Sequence, residues 1–235
     1  MSLISFARRL LGREQILRLS YTAYRHGLVI NSPMNSIKSC RNDEVLKGEY
    51  IRSSSLELVA REIKERSVAG AVAELGVYRG EFARLINVAF PDKKLYLFDT
   101  FAGFDANQLE EDLVNKRLEG SFDNFSETSL SIVLAKMKFK DNCVVVPGVF
   151  PDSALSCPEI KYAFVSIDCD LYRPIYEGLH YFYPKLSSGG YIFVHDYNNT
   201  FYNGAKQAVR QFVSEQQVSY FPLSDASGSA VICKA

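Results

Sequence analysis

The stretch AELGVYRGEFA, residues 73–83, decides the fold of this chain. Gly76 allows the backbone to turn tightly as it leaves a strand, and Gly80 allows a ligand to approach the backbone where the next helix begins. Glu74 places a carboxylate at the tip of the strand, where it can meet an ammonium group or an ordered water. The stretch therefore predicts a strand, a ligand-binding turn and a helix, with a plain strand-to-helix turn as the alternative.

The sequence around this stretch repeats the same alternation of strand and helix. Continuous hydrophobicity over short, β-rich runs is typical of parallel strands that helices cover on both faces. Five runs have this character: residues 68–75, 94–99, 142–148, 162–168 and 191–196. Two last apolar runs, 217–223 and 229–235, flank a turn-like SDASG and predict an antiparallel hairpin. We therefore expect an α/β, Rossmann-like fold with a mostly parallel sheet and a C-terminal antiparallel hairpin.

Helix signals lie before and between the strands. Ser54 and Glu57 match the capping-box pattern and predict a helix that begins there. An apolar stripe that includes Phe82 and Leu85 predicts the helix after the first strand. Pro174 suits the first turn of a later helix, which should stop at Pro184, before Ser-Ser-Gly-Gly.

Two regions do not fit this alternation. Residues 1–50 are expected to form a helical or lid extension, ahead of the α/β domain at 51–235. A basic amphipathic helix on a membrane surface is the alternative for its first part. The connection between residues 99 and 142 carries an acidic insertion, 105–127, followed by a helix near 130–137. Long connections are often functional lids, and a solvated surface insertion is the alternative.

A cofactor site is expected at the tips of the first three strands. Asp99 ends the second strand, 25 residues after Glu74, and an acid at that place can accept the hydroxyls of a ribose. The dinucleotide pattern G-x-G-x-x-G is absent, because Tyr78 stands where its middle glycine would be. An adenosine-containing cofactor is therefore predicted, either S-adenosylmethionine or NAD. We assign Phe101 and Gly148 to the same site, although Phe101 could also be a core residue.

Acidic side chains follow the fourth and fifth strands. The tips of neighbouring parallel strands lie close together, so we expect Asp168, His195 and Asp196 to form one cluster. Oxygen ligands with open positions suit Mg²⁺ or Mn²⁺, which could lower the pKa of an acceptor hydroxyl and orient it. His195 and Asp168 are predicted to be catalytic, with His195 as the general base. Asp170 is predicted to cap the following helix.

Composition narrows the function further. Lys and Arg total 27 and Asp and Glu total 27, and this balance disfavours nucleic acid as a partner. No apolar stretch is long enough for an integral membrane segment, and the N-terminus does not resemble a signal peptide. The five cysteines form no CxxC pair, which suits a reducing compartment. We expect a cytoplasmic protein that acts on a small molecule or saccharide, with a homo-oligomer as an open possibility.

Taken together, these motifs resemble the macrocin O-methyltransferase family. The resemblance runs from about residue 49 to 213 and rests on AELGVYRGEFA, LFDTFAGF, VPGVFPDS, SIDCDLY, YPKLSSGGYIFVHDYN and GAKQAVRQF. It implies a class I methyltransferase fold, S-adenosylmethionine as donor, and a divalent ion held by Asp168 and Asp196. It also implies cofactor contacts by Glu74, Gly76 and Asp99. His195 stands where the family pattern usually has a second aspartate.

The resemblance favours an O-methyltransferase that acts on the hydroxyl of a sugar, a glycosylated metabolite or a polysaccharide precursor. Three alternatives remain at this point. A nicotinamide-dependent oxidoreductase would explain Asp99, but it does not call for the hairpin. A metal-dependent hydrolase would use Asp168, Asp170 and Asp196, but it leaves Glu74 without a role. A non-catalytic scaffold could keep the fold without the chemistry.

Overall fold

The computed structural model of the protein describes residues 49–118 and 122–235. The predicted N-terminal extension therefore lies almost wholly outside the described residues, and its boundary near residue 51 stays a prediction. None of the helices in the described part of the chain is both long enough and apolar enough to cross a membrane.

Helices and strands alternate along the chain. The helices are α1 (Tyr50–Glu65), α2 (Glu81–Ala89), α3 (Ala106–Val114), α4 (Leu130–Lys136), α5 (Tyr172–Lys185) and α6 (Asn203–Gln216). The strands are β1 (Ala71–Leu75), β2 (Leu95–Asp99), β3 (Cys143–Pro147), β4 (Tyr162–Ile167), β5 (Leu186–Val194), β6 (Tyr220–Pro222) and β7 (Ala230–Cys233). Short 3₁₀ turns at Lys140–Asn142 and Asp152–Ser156 flank β3.

The described strands form one sheet in the order β3-β2-β1-β4-β5-β7-β6. Strands β1 to β5 pair in parallel, whereas β7 runs antiparallel to both β5 and β6. The order in which strands are added to the sheet switches between β1 and β4. Strands β2 and β3 lie on one side of β1, and β4 and the later strands lie on its other side. This arrangement confirms the predicted Rossmann-like fold with its C-terminal hairpin. It also brings the carboxyl ends of β1, β2, β4 and β5 to one edge, where parallel α/β sheets bind ligands.

Two apolar layers cover the sheet. On one face, α5 and α6 pack on side chains such as Phe98, Val165 and Ile192. On the other face, α1, α2 and α4 pack on side chains such as Leu97 and Phe164. Every residue of β4 is buried, as expected for a central parallel strand covered on both sides.

The first helix begins earlier than its sequence pattern predicts. Glu49 is the N-cap, because its carboxylate accepts hydrogen bonds from the amides of Ile51 (3.1 Å) and Arg52 (2.7 Å). The capping-box prediction at Ser54 and Glu57 is therefore wrong, and both residues lie inside α1. Glu49 accepts hydrogen bonds from the free amides of the first helical turn, so α1 begins more than a turn before Ser54.

Two other elements differ from the prediction. The fifth strand begins earlier than its apolar run at 191–196 predicts, because the Ser-Ser-Gly-Gly segment belongs to β5, which starts at Leu186. The register shifts there, since Tyr162 pairs with Leu186 but Phe164 pairs with Tyr191, and Gly189 supplies the positive φ of 77° that the irregularity needs. In the acidic insertion, α3 forms a helix that the sequence pattern did not predict, whereas α4 is confirmed.

Candidate active site

The carboxyl ends of four strands enclose a cavity of about 410 Å³. Seven of the predicted site residues line it, although they come from five separate segments of the chain: Glu74, Gly76, Asp99, Gly148, Asp168, His195 and Asp196. The fold therefore brings the predicted cofactor and metal residues into one space.

The turn after β1 requires glycine at position 76. Gly76 has a φ of 84°, and a Cβ there would lie 2.1 Å from the backbone oxygen of Asp168. The tips of β1 and β4 can approach each other this closely because Gly76 has no side chain. Gly76 thus sets the spacing between the predicted cofactor turn and the predicted metal residue Asp168.

Glu74 is a buried carboxyl with an unused oxygen. Its side chain lines the cavity and is 1% exposed, and Oε2 has no hydrogen-bond partner among the described residues. Burial, together with the negative charge of Asp168, raises the pKa of Glu74 well above its usual value. An unpartnered buried oxygen of this kind fits the ammonium group of an amino-acid ligand, which would supply both a hydrogen bond and a compensating charge.

Asp99 organises the loops around the cavity. Oδ2 accepts hydrogen bonds from the amides of Val77 (2.6 Å) and Tyr78 (2.8 Å), and Oδ1 accepts one from the amide of Phe101 (2.6 Å). A carboxylate has about four acceptor positions, so roughly one remains for a ligand hydroxyl. Asp99 can therefore contact a ribose, but most of its capacity already holds the turn after β1.

Two residues assigned to the cofactor point elsewhere. Gly80 precedes α2 with a φ of 78°, and a Cβ there would lie 3.2 Å from the side chain of Val133 in α4 and 3.3 Å from that of Met137 at the end of α4, so its lack of a side chain allows close packing. Phe101 packs against the apolar layer formed with α1, α2 and α4. Neither is among the described residues that line the cavity, in contrast to Gly148, whose amide donates to the Asp99 carbonyl at 2.9 Å.

The cluster of Asp168, His195 and Asp196 has the geometry expected of a divalent-ion site. His195 Nδ1 lies 2.9 Å from Asp168 Oδ1 and 2.8 Å from Asp196 Oδ2, and all three ligand atoms lie within 4.8 Å of one another. Adjacent ligands in an octahedral Mg²⁺ shell are about 3 Å apart when each bond is about 2.1 Å long. Two carboxylates and one imidazole at this spacing therefore fit a Mg²⁺ or Mn²⁺ ion.

The charges of this cluster are strongly coupled. Burial by itself raises the pKa of the Asp168 carboxyl, but the positive charges of Arg52 and His195 outweigh it and hold that pKa well below its usual range. For His195, burial lowers the pKa, but Asp168 and Asp196 reverse this effect and raise it to about 10. His195 is therefore an imidazolium in this arrangement, and its Nδ1 must lose a proton before it can serve as a metal ligand.

Asp170 does not cap the following helix, contrary to its prediction. Leu171 is the N-cap of α5, and the amide of Tyr172 donates instead to Oδ2 of Asp112, at 2.8 Å. Asp170 has a φ of 59° and its side chain lines the cavity. Burial and the neighbouring Asp196 carboxylate raise the pKa of Asp170 well above its usual value.

Arg52 is a residue of the site that the sequence reasoning missed. Its guanidinium reaches from α1 to the tip of β4, where Nη1 lies 2.9 Å from Asp168 Oδ2. The two residues are 116 positions apart, and Arg52 stands in a helix whose polar residues carry no distinguishing pattern. No sequence signal could have found this contact.

The insertion after β2 forms one wall of the cavity. Phe125 lies edge-on to Tyr78 and Phe104, with ring centroids 5.1 and 5.2 Å apart, and all three rings line the cavity. Asp105 and Gln108 line it too. The part of the insertion that the structure describes therefore belongs to the site, which favours the functional alternative over a solvated surface insertion.

A second cleft, of about 510 Å³, adjoins the cofactor cavity. Arg52, Glu81, Phe82 and His195 line both spaces, so the two meet beside the predicted metal residues. Glu49, Arg84 and the Ala226–Ser227 loop of the hairpin also line this cleft.

Curated relatives are named as O-methyltransferases. One, the 8-demethyl-8-(2,3-dimethoxy-alpha-L-rhamnosyl)-tetracenomycin-C 4'-O-methyltransferase of Streptomyces olivaceus, is 24% identical over 190 residues, which are 77% of this chain and 71% of that enzyme. Another, the mycinamicin III 3''-O-methyltransferase of Micromonospora griseorubida, is 29% identical over 160 residues. That alignment covers 62% of each chain, which is less than two thirds of the relative's own length.

A solved O-methyltransferase structure has the same fold. The O-methyltransferase NovP superposes with a TM-score of 0.62 over 79% of this chain and 80% of its own, at 22% identity. This likeness supports the fold assigned above. The model of the TylF macrocin-O-methyltransferase family matches residues 48–234, which is most of the chain. The chain therefore belongs to the macrocin-O-methyltransferase family of enzymes.

Proposed function

We propose that this protein transfers the methyl group of S-adenosylmethionine to a hydroxyl of a sugar or of a glycosylated natural product, with the help of a divalent ion. The observation that carries the proposal is the meeting of two features in one cavity. The unpartnered carboxyl of Glu74 suits the donor's ammonium group, and the cluster of Asp168, His195 and Asp196 suits the ion. Family membership and the sugar-modifying relatives support this combination.

The residues of the chain divide the work between donor and acceptor. Glu74 and the Asp99-organised turn hold the donor, while Asp168, His195 and Asp196 would hold the ion. When bound, a divalent ion would lower the pKa of the acceptor hydroxyl and orient it. The aromatic wall of Tyr78, Phe104 and Phe125 would keep water away from the bound donor. Holding the donor and the acceptor hydroxyl in line would supply much of the rate acceleration.

Two side chains can take up the hydroxyl proton. His195 is the base that the sequence predicts, but it can accept a proton only while its ring is neutral and Nδ1 does not bind the ion, because an imidazole that binds an ion through Nδ1 carries its proton on Nε2. Asp170 is the alternative, because its carboxylate lines the same cavity and does not cap α5. Separate His195→Asn and Asp170→Asn variants, compared at saturating metal, would identify the base as the residue whose loss lowers kcat more.

The acceptor is expected to enter through the second cleft. This cleft meets the cofactor cavity at Arg52, Phe82 and His195, beside the predicted metal ligands. A donor held by Glu74 and Asp99 fills the other end of the cavity. The second cleft therefore leads an acceptor hydroxyl directly to the place where the methyl group is transferred.

Calorimetric titration with S-adenosylhomocysteine, with and without Mg²⁺, tests the proposal first. We expect binding in the micromolar range, followed by transfer of labelled methyl groups in a screen of sugar-hydroxyl acceptors. Absence of binding under both conditions would contradict the assignment of the donor. Full activity after exhaustive chelation would remove the divalent ion from the mechanism but leave methyl transfer in place.

A further inference from the structure

Arg52 is held in one orientation by three contacts, two with β4 and its tip and one with α2. Nη1 bonds Asp168 Oδ2 at 2.9 Å, and Nη2 bonds the Ser166 hydroxyl of β4 at 3.1 Å. The guanidinium carbon also lies 3.7 Å from the ring centroid of Phe82, in α2. The side chain is 8% exposed, and its Nε has no partner among the described residues. A long side chain fixed so completely has already lost its conformational freedom, which is typical of a preorganised functional group.

The contact with Arg52 divides the two oxygens of Asp168. Oδ2 is committed to the guanidinium, whereas Oδ1 faces His195 Nδ1 at 2.9 Å. Asp168 can therefore offer a single oxygen to an ion in the cluster. A carboxylate without such a partner could rotate or bind through both oxygens, and the position of the ion would change with it.

Arg52 also places a permanent positive charge next to the ion site. A guanidinium stays protonated at every relevant pH, so this charge cannot be removed by titration. Repulsion between buried like charges a few ångströms apart is strong, because little water is present to screen it. This charge must weaken the binding of a divalent cation compared with the same carboxylates alone.

We propose that Arg52 is a positioning residue, which fixes Asp168 as a one-oxygen ligand and lowers the affinity of the site for its divalent ion. The inference rests on the proposed function, since it takes Asp168 as a ligand. It assigns to Arg52 two separable effects. The charge sets how tightly the ion binds. The planar guanidinium, whose two donors Nη1 and Nη2 form a fork, sets where the ion lies.

Two variants separate these effects. Arg52→Met removes the charge and keeps much of the length, whereas Arg52→Lys keeps the charge and removes the fork. Arg61→Met is the matched control, because Arg61 lies on the same helix, pairs with Glu57 and is not among the described residues lining either space. Mn²⁺ affinity is measured by calorimetry in the full-length protein without cofactor, and the electron paramagnetic resonance spectrum of bound Mn²⁺ reports its ligand geometry.

We expect Arg52→Met to bind Mn²⁺ about tenfold more tightly than wild type, because charge repulsion is lost while the ligands remain. Arg52→Lys should bind Mn²⁺ within about threefold of wild type, but with an altered resonance spectrum and a lower kcat. Arg61→Met should match wild type in affinity, spectrum and kcat. S-adenosylhomocysteine affinity should stay within about threefold of wild type in Arg61→Met, since Arg61 lines neither space.

A purely structural ion pair would give a different pattern. Unchanged or weaker Mn²⁺ binding by folded Arg52→Met would overturn the charge effect, and an unaltered spectrum in Arg52→Lys would overturn the positioning effect. Should Arg52→Met not fold, Arg52→Gln, which is also neutral, takes its place. Absence of Mn²⁺ binding by both wild type and the neutral variant would overturn the whole inference. Expected metal results without methyl transfer to any hydroxyl would contradict the proposed function and support the role of Arg52.

Discussion

Oδ2 of Asp112 accepts a 2.8 Å hydrogen bond from the backbone amide of Tyr172, and this contact ties the insertion to the helix after β4. Asp112 is fully buried, and its other oxygen pairs with Arg117 at 3.2 Å. The Arg117 guanidinium in turn lies 3.7 Å from the centroid of the Tyr172 ring. Since no side chain at the start of α5 caps that helix, Asp112 supplies the missing acceptor from a distant segment.

Replacing Asp112 should therefore destabilise the fold. Asp112→Ala leaves the Tyr172 amide and Arg117 without their partner, and we expect a loss of about 1–3 kcal/mol in the free energy of unfolding. Asp112→Asn keeps an acceptor oxygen and should lose less. Urea denaturation of both variants measures the difference, and equal stability of Asp112→Ala and wild type would show that the cap contributes nothing.

Replacing Glu74 should separate binding from stability. Glu74→Gln removes the charge that we assign to the donor's ammonium group, so the affinity for S-adenosylhomocysteine should fall about tenfold or more. The free protein should not become less stable, because a buried carboxyl without a full set of partners is exchanged for a neutral amide. Calorimetry and urea denaturation give the two values, and unchanged affinity would exclude Glu74 as a donor contact.

The raised pKa of Glu74 should also make the stability of the protein depend on pH. Because burial raises the pKa of Glu74 in the folded state, the folded protein binds more protons than the unfolded chain above the ordinary carboxyl pKa of about 4.5. Its contribution to the free energy of unfolding therefore decreases as the pH rises above that value. Glu74→Gln should flatten this part of the profile, and an identical slope in both proteins would contradict the shift.

Because Asp99 holds the loops around the cavity, its replacement should affect both donor binding and stability. Asp99→Ala removes the acceptor for three backbone amides, so it should reduce both the affinity for S-adenosylhomocysteine, by about tenfold or more, and the free energy of unfolding, by about 2 kcal/mol. A residue that only contacted a ribose would affect binding alone. Calorimetry paired with denaturation distinguishes these outcomes, and unchanged affinity would remove Asp99 from the site.

His195 allows a test of the ion site by substitution toward the family pattern. His195→Asp creates a set of three carboxylates, which Mg²⁺ prefers to a set that includes imidazole, so Mg²⁺ should bind more tightly. If His195 is the general base instead of a ligand, kcat at saturating Mg²⁺ should fall by about 10²-fold or more. Titration calorimetry and steady-state kinetics measure the two quantities. Weaker Mg²⁺ binding by a folded variant would argue against an ion at this cluster.

The path of the acceptor can be blocked from the hairpin. Ala226 is exposed on the wall of the second cleft, so Ala226→Trp should fill part of that space without disturbing the core. The acceptor KM should rise about tenfold, while the affinity for S-adenosylhomocysteine should not change. Ala226→Ser is the matched control, because it changes the same position while adding little volume to the cleft. Equal acceptor KM for the tryptophan variant and wild type would place the entrance elsewhere.

The sequence predicted the architecture because its signals are local. Five nearly continuous apolar runs, separated by helical segments, allow little other than a parallel sheet with two covered faces. Glu74, Asp99, Asp168 and Asp196 each stand at the end of a run, and parallel strands bring such ends together. The predicted cluster of Asp168, His195 and Asp196 followed from this rule alone.

Tertiary structure decided which neighbouring residues face the cavity. Gly80 and Phe101 stand near the predicted ligand turns, but packing directs them toward helix α4 and the apolar core. Arg52 reaches the site from 116 residues away in sequence, and Asp112 reaches the start of α5 from 60 residues away. The spacing of apolar residues along the sequence shows whether a segment is a helix or a strand and which of its sides is apolar. Contacts between elements depend on how those faces pack, and that is a property of the whole folded chain.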